Sequence, residues 1–181
     1  MKTSILAGIA VSVGCIVNLL VGGVPGAILV FGWNLFTGKV GLLAKNEITF
    51  KELIEILIGN FIGVLGTAAA ISLKPVGEKI INSEMLNNIV NTRLSNSWVE
   101  NLILGVFCGL LMYIAVFAYK TSGNFVMITF PVAVFILSGF NHCIADMFYL
   151  SLGNANLLCL MPIVLGNALG AQIIPLLDKR N

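Results

Sequence analysis

Apolar residues gather in six long blocks along this chain, each bounded by charge or by Gly and Pro. The blocks cover residues 5–21, 24–44, 53–73, 98–119, 125–152 and 157–177. About 20 apolar residues cross a bilayer as a helix, so each block predicts one membrane span. The second is interrupted at Asn34-Leu35-Phe36-Thr37-Gly38-Lys39, and the fifth carries a polar interruption over residues 139–146. A tight hairpin at Gly22-Gly23-Val24-Pro25-Gly26 joins the first two, and residues 74–97 form the only long polar connection.

Composition agrees with that pattern. The 181 residues are 58% apolar and 10% charged, with a mean hydropathy of +1.00, where soluble domains run at about 25% charged. Six spans use about 120 residues, which leaves no room for a soluble catalytic domain. A net charge of +2 is too mild for a nucleic-acid surface. The expectation is a single transmembrane domain over residues 1–181. Its first span is a retained helix rather than a signal peptide, because the apolar run is long and no small-x-small cleavage site follows it. With the N-terminus inside, Lys2, Lys39, Lys45, Lys51, Lys120, Lys179 and Arg180 fall on the cytoplasmic side. Lys74, Lys79 and Arg93 fall outside. This bias predicts cytoplasmic N- and C-termini, most simply in a bacterial cytoplasmic membrane. Cys15, Cys108, Cys143 and Cys159 lie within spans, have no CxxC spacing and read as small packing residues.

The chain also repeats itself. Gly32-Trp33-Asn34 recurs as Gly139-Phe140-Asn141, and Gly59-Asn60-x-x-Gly63 recurs as Gly166-Asn167-x-x-Gly170, both at an offset of 107 residues. The offset carries span two onto span five and span three onto span six. Three spans separate the copies, and an odd number reverses direction in the membrane. The predicted fold is therefore an all-α membrane protein, six transmembrane helices forming an inverted 3+3 repeat with broken second and fifth helices. Repeat one covers about residues 1–74 and repeat two about 98–178. Inverted repeats place a pathway at their interface, and paired interrupted helices point to the site. Gly59, Gly63, Gly166 and Gly170 also read as close-packing positions. Packing alone leaves polar Asn34, Thr37, Asn141, His142 and Asp146 at matching depths unexplained.

His142 is the only histidine, and Asp146 is the only acid deep within a span. Four residues apart on a helix, they would share one face, either as a functional pair or as a structural hydrogen bond. A neighbouring carboxylate favours the imidazolium and burial favours the neutral ring; the sequence leaves both open. Thr37 sits at the second break, where its hydroxyl either donates to a passing anion or caps the following half-helix. Phe135 forms an apolar constriction or simply packs. Arg93 and Lys79 read as loop charges that are solvated or collect anions at a pore mouth. One histidine permits neither HExxH nor a three-histidine metal site, and Gly-rich phosphate loops are absent. The sequence thus predicts no enzyme, no metal and no cofactor.

The run Phe130-Pro131-Val132-Ala133-Val134-Phe135-Ile136-Leu137-Ser138-Gly139-Phe140-Asn141-His142-Cys143-Ile144-Ala145-Asp146-Met147-Phe148 resembles the fifth-helix signature of the formate/nitrite transporter family. Leu35-Phe36-Thr37 resembles its second-helix loop. Met161-Pro162-Ile163-Val164-Leu165-Gly166-Asn167-Ala168-Leu169-Gly170 resembles its sixth-helix motif, and Trp98-Val99-Glu100 with Leu104-Gly105 the start of its fourth helix. The resemblance covers essentially the whole chain, which is short for that family. It implies an aquaporin-like protomer in a homopentamer, passing small monovalent anions of weak acids such as formate, nitrite or hydrosulfide, with protons as a second partner. It implies that His142 is the central pore histidine, Thr37 the loop threonine, Phe36 and Phe135 constriction residues, Leu35 a lining residue and Arg93 a vestibule cation.

Three positions depart from the family pattern. Asn141 replaces the acid before the histidine, Asp146 replaces an asparagine four residues after it, and Gly109 replaces an asparagine in the fourth helix. The first two look like an acid moved by one helical turn, or like the mark of a different substrate. The leading expectation is a channel or transporter for a weak-acid anion, pH-dependent or proton-coupled through His142. The alternatives are a pore for a neutral solute (ammonia, urea or hydrogen sulfide) and a non-transporting scaffold subunit.

Overall fold

The computed structural model describes residues 1–21, 36–73, 75–124 and 126–178. The predicted Gly22 hairpin, Leu35 and the residues before Phe36 at the second break lie outside the described residues. Among those described, nine α-helices and one short 3₁₀ turn carry the fold, without strands. Helix α1 is Lys2–Val21, α2 Phe36–Ala44, α3 Phe50–Ser72, α4 Pro75–Ile81 and α5 Glu84–Ser95. Helix α6 is Trp98–Ser122, α7 Val126–Leu137, α8 Cys143–Leu152 and α9 Leu160–Leu177, the last preceded by the 3₁₀ turn Leu157–Cys159.

Among the described residues, four segments are long and apolar enough to cross a membrane: Lys2–Val21, Phe50–Ser72, Trp98–Ser122 and Leu157–Leu177. Local sequence sets where two of them start. Thr49 accepts from Glu52 N–H while Glu52 returns a bond to Thr49 N–H, and Ser97 and Glu100 do the same at the head of α6. Helix α6 stops at Gly123, whose φ of 66° is left-handed.

The fifth apolar block behaves differently. Helices α7 and α8 have 12 and 10 residues, about 18 and 15 Å at 1.5 Å per residue, so each spans about half a hydrocarbon core. The break between them covers residues 138–142, turned by Gly139 at φ 70°. The polar interruption was thus legible in the sequence, although its C-terminal part, including Asp146, is already helix. Residues 74–97, expected as a polar connection, contain two helices: α4 opens on Pro75 and α5 is capped by Ser83, whose hydroxyl accepts from Leu86 N–H.

Glycines bring the long helices together in two pairs. On α1 and α3, a methyl on Gly8 would overlap the Asn60 backbone, one on Gly63 the Ile5 carbonyl and one on Gly59 the Ser4 side chain. On α6 and α9, Gly109 meets the Asn167 backbone, Gly170 the Val106 carbonyl, and Gly166 the Leu102 carbonyl and Gly105. Small residues let backbones touch where hydrocarbon solvent gives no hydrophobic drive to associate. Outward, α3 shows a row of Ile54, Ile58, Ile62 and Leu65, and α9 shows Leu165, Leu169 and Leu176. These apolar outer faces suit a lipid surround. Helix α8 is the interior element. It packs on α1, α3 and α5, and nearly all its residues are buried.

Candidate functional site

The break between α7 and α8 opens onto a cavity of about 600 Å³. Its walls are Val11, Cys15 and Asn18 from α1, Ile89, Thr92 and Arg93 from α5, and Phe135 through Phe140 from the end of α7 and the break. His142, Ala145, Asp146 and Tyr149 close the α8 side. A mostly apolar wall with a few placed polar groups is the usual form of a small-molecule site.

His142 is the N-cap of α8. Its backbone is extended, and its Nδ1 accepts from Ala145 N–H at 3.3 Å. Because Nδ1 is the acceptor, the neutral ring carries its proton on Nε2. That nitrogen is buried and has no hydrogen-bond partner among the described residues. The ring stacks on Phe135 at 5.5 Å between centroids, so the phenyl ring and the histidine form one unit.

Asp146, 1% exposed, does not bond His142. Its Oδ1 accepts from Arg93 Nε at 3.0 Å, and its Oδ2 has no partner among the described residues. The carboxylate lies in the first turn of α8, and the guanidinium in the last turn of α5, so each suits its helix end. Arg93 is therefore a buried ion-pair partner, not a solvated loop charge. Asn101 fixes it from behind: Asn101 Nδ2 donates to Arg93 O at 2.9 Å, and Asn101 Oδ1 accepts from Asn141 Nδ2 at 2.8 Å.

Asn167 gathers the other side of the break. Its Oδ1 accepts from Cys143 N–H at 2.9 Å and from Thr37 Oγ1 at 3.2 Å. Its Nδ2 donates to Asn141 O at 2.8 Å and Gly105 O at 2.9 Å. Two amides at the α8 N-terminus, Cys143 and Ala145, are thus already bonded to protein acceptors. The partial positive charge of this half-helix N-terminus is thus partly satisfied from within.

Residues 1–177 match the family model of the formate/nitrite transporter. The chain belongs to the formate/nitrite transporter family. It is 29% identical over 167 residues to the formate channel FocA of Haemophilus influenzae, covering 83% of this chain and 54% of the relative. Against FocA of Escherichia coli K12 it is 31% identical over 155 residues, 74% of this chain and 53% of the relative. The Plasmodium vivax formate-nitrite transporter is 26% identical over 177 residues, 81% and 56%. The chain spans about half the length of these curated relatives. Among solved structures, an FNT family ion channel superposes with TM-score 0.74 at 22% identity, covering 95% of this chain and 85% of that one. A pentameric formate channel with formate bound gives TM-score 0.69 at 20% identity, covering 94% and 91%. The fold is that of formate/nitrite transporter channels.

Within this family member, His142, Asp146, Phe135 and Arg93 come together around the cavity. Asn141, Thr37 and Phe36 are buried but do not line it; Asn141 and Thr37 are drawn to Asn101 and Asn167 instead. Gly59 and Gly63 serve the α1–α3 contact, and Gly166 and Gly170 the α6–α9 contact. Asn60 is fully buried beside them, its Nδ2 donating to Ile56 O. Sequence reasoning missed Asn18, which donates through Nδ2 to Tyr149 Oη at 3.0 Å, and whose Oδ1 is buried without a partner among the described residues. The available signal was a lone amide within an apolar span.

Proposed function

We propose that this chain forms a membrane channel for a small monovalent weak-acid anion such as formate, nitrite or hydrosulfide, with flux that depends on pH through His142. The observation that carries the reading is the break at residues 138–142, with His142 on the cavity wall, Nε2 unpartnered among the described residues and Phe135 stacked on its ring. Substrate enters the cavity beside Arg93, loses water against Phe135 and passes His142, with Phe36, Thr37 and Leu35 continuing the pathway. Proton exchange at the cavity lets the weak acid cross the apolar stretch without net charge. The titratable groups that surround His142 are Asp146 and Tyr149 on α8, Cys143 beside it, Arg93 on α5 and Cys15 on α1.

The protomer reading is six crossings in an inverted repeat. The α1–α3 and α6–α9 pairs support it by using equivalent contacts: Gly8 on Asn60 and Gly63 on Ile5 in one, Gly109 on Asn167 and Gly170 on Val106 in the other. Five such protomers, each with its own pore, sit in a cytoplasmic membrane with both termini inside. One observation favours a neutral permeant instead: Asp146 occupies the cation that would draw an anion.

The test is flux into proteoliposomes of formate, nitrite, hydrosulfide and urea between pH 5 and pH 7. Anion-linked flux that rises as pH falls, and loses that dependence in His142→Phe, is the expected outcome. Urea flux alone, indifferent to pH, would replace the anion reading with the neutral one.

A further inference from the structure

Asn101 lies in the first turn of α6, a helix end that the Ser97–Glu100 capping box already fixes. It is 1% exposed, and both ends of its amide are engaged. Oδ1 accepts from Asn141 Nδ2 at 2.8 Å and from Asn96 Nδ2 at 3.2 Å, while Nδ2 donates to Arg93 O at 2.9 Å. Followed onward, these bonds close on themselves. Arg93 Nε donates to Asp146 Oδ1 at 3.0 Å, Asp146 N–H donates to His142 O at 2.8 Å, and His142 follows Asn141 in the chain. The circuit joins α6, α5, α8 and the break, and all five of its residues are buried. It passes through His142 by backbone alone, which leaves the imidazole outside it and stacked on Phe135.

A buried amide needs partners wherever it sits. Asn101 takes them from the residue before His142 and from the residue that grips Asp146, four places after it. Both backbone approaches to the histidine are thereby tied to one side chain on another helix. Support of this kind, from behind, is what holds a site residue to a fraction of an ångström. We propose that Asn101 is a positioning residue: through Asn141 on one side, and Arg93 and Asp146 on the other, it keeps His142 in a single place on the cavity wall. Asn101 does not itself line the cavity. The inference rests on the channel reading, since it concerns the residue on which that reading turns.

His142 is the only histidine, so protein labelled in histidine alone reports one imidazole. Solid-state NMR in proteoliposomes is compared for the parent, Asn101→Ala, Asn141→Ala and Gly63→Ala, with uptake measured on the same vesicles. Asn141→Ala opens the circuit at one bond and keeps the residue 141 carbonyl on Asn167, so it decides the matter should Asn101→Ala fail to assemble. Gly63→Ala disturbs the α1–α3 contact instead and shows what lost stability alone does. The parent is expected to give one imidazole environment, and Gly63→Ala likewise despite a lower melting temperature. Either variant that opens the circuit should give more than one. Its uptake of formate, or of whichever permeant the parent passes, should fall at least about fivefold per folded protein. A single parent-like signal in an assembled circuit variant overturns the proposal, as does a split signal in Gly63→Ala. Split signals with uptake unchanged also overturn it, while the channel reading stands. No uptake of formate, nitrite, hydrosulfide or urea by the parent removes the channel reading and the positioning role with it.

Discussion

A primary amide has two donor hydrogens and two acceptor lone pairs, and Asn167 engages all four. Replacing it by alanine strands the Cys143 N–H and the Asn141 carbonyl away from water and removes the second bond to the Gly105 carbonyl. Each stranded buried group costs about 1–3 kcal/mol. Asn167→Ala is therefore expected to melt well below the parent in detergent thermal unfolding; melting alongside the parent would show that the network is not structural. The sequence exposed Asn167 as half of a repeated Gly-Asn pair and within the sixth-helix motif, without its bonding partners. His142 and Asp146, which the fold places on the cavity wall, stood out in the sequence because one histidine and one deep acid interrupt an apolar block, whereas Phe135 by itself read equally as packing. The pairing of Asp146 was not legible. Its partner lies 53 residues earlier in a stretch polar enough to read as solvated surface, and only packing of α5 on α8 brings the two together.

At the level of elements, glycine position decides what a methyl does. Gly170 stands against the Val106 carbonyl, whereas Gly66 on α3 has open space where a side chain would go. Gly170→Ala should part α6 from α9 and lower the melting temperature and the yield of monodisperse protein. Gly66→Ala should be neutral or stabilise by about 0.5–1 kcal/mol through helix propensity. Equal effects at the two sites would refute the close-contact account. The ends of the long helices were readable to within a few residues, since apolar length and capping residues are local signals. Helices α4 and α5 were not, because short amphipathic segments with little net hydropathy look like loop until something packs on them.

For the molecule as a whole, apolar rows facing outward on α3 and α9 and a largely apolar interior around α8 describe a chain that is apolar on both its inside and its outside, unlike a soluble domain. Hydropathy carried that much from the sequence alone. Chain direction and the number of protomers involve long-range geometry that composition does not encode. Five copies are expected: native mass spectrometry in mild detergent should give a pentamer, and a monomer as the dominant species would remove the oligomeric reading.

Asn167 has a mechanical consequence as well. One amide holds Thr37 at the head of α2, Cys143 at the head of α8 and Gly105 on the long α6. The two short helices share a rivet, so neither can slide without dragging the other. Motions that would swing one half open while the other stays shut are braced against, and the loss of this single degree of freedom suits a fixed conduit better than a rocking carrier. In Asn167→Ala the amides heading α2 and α8 should exchange deuterium at separate rates, where in the parent they exchange as one.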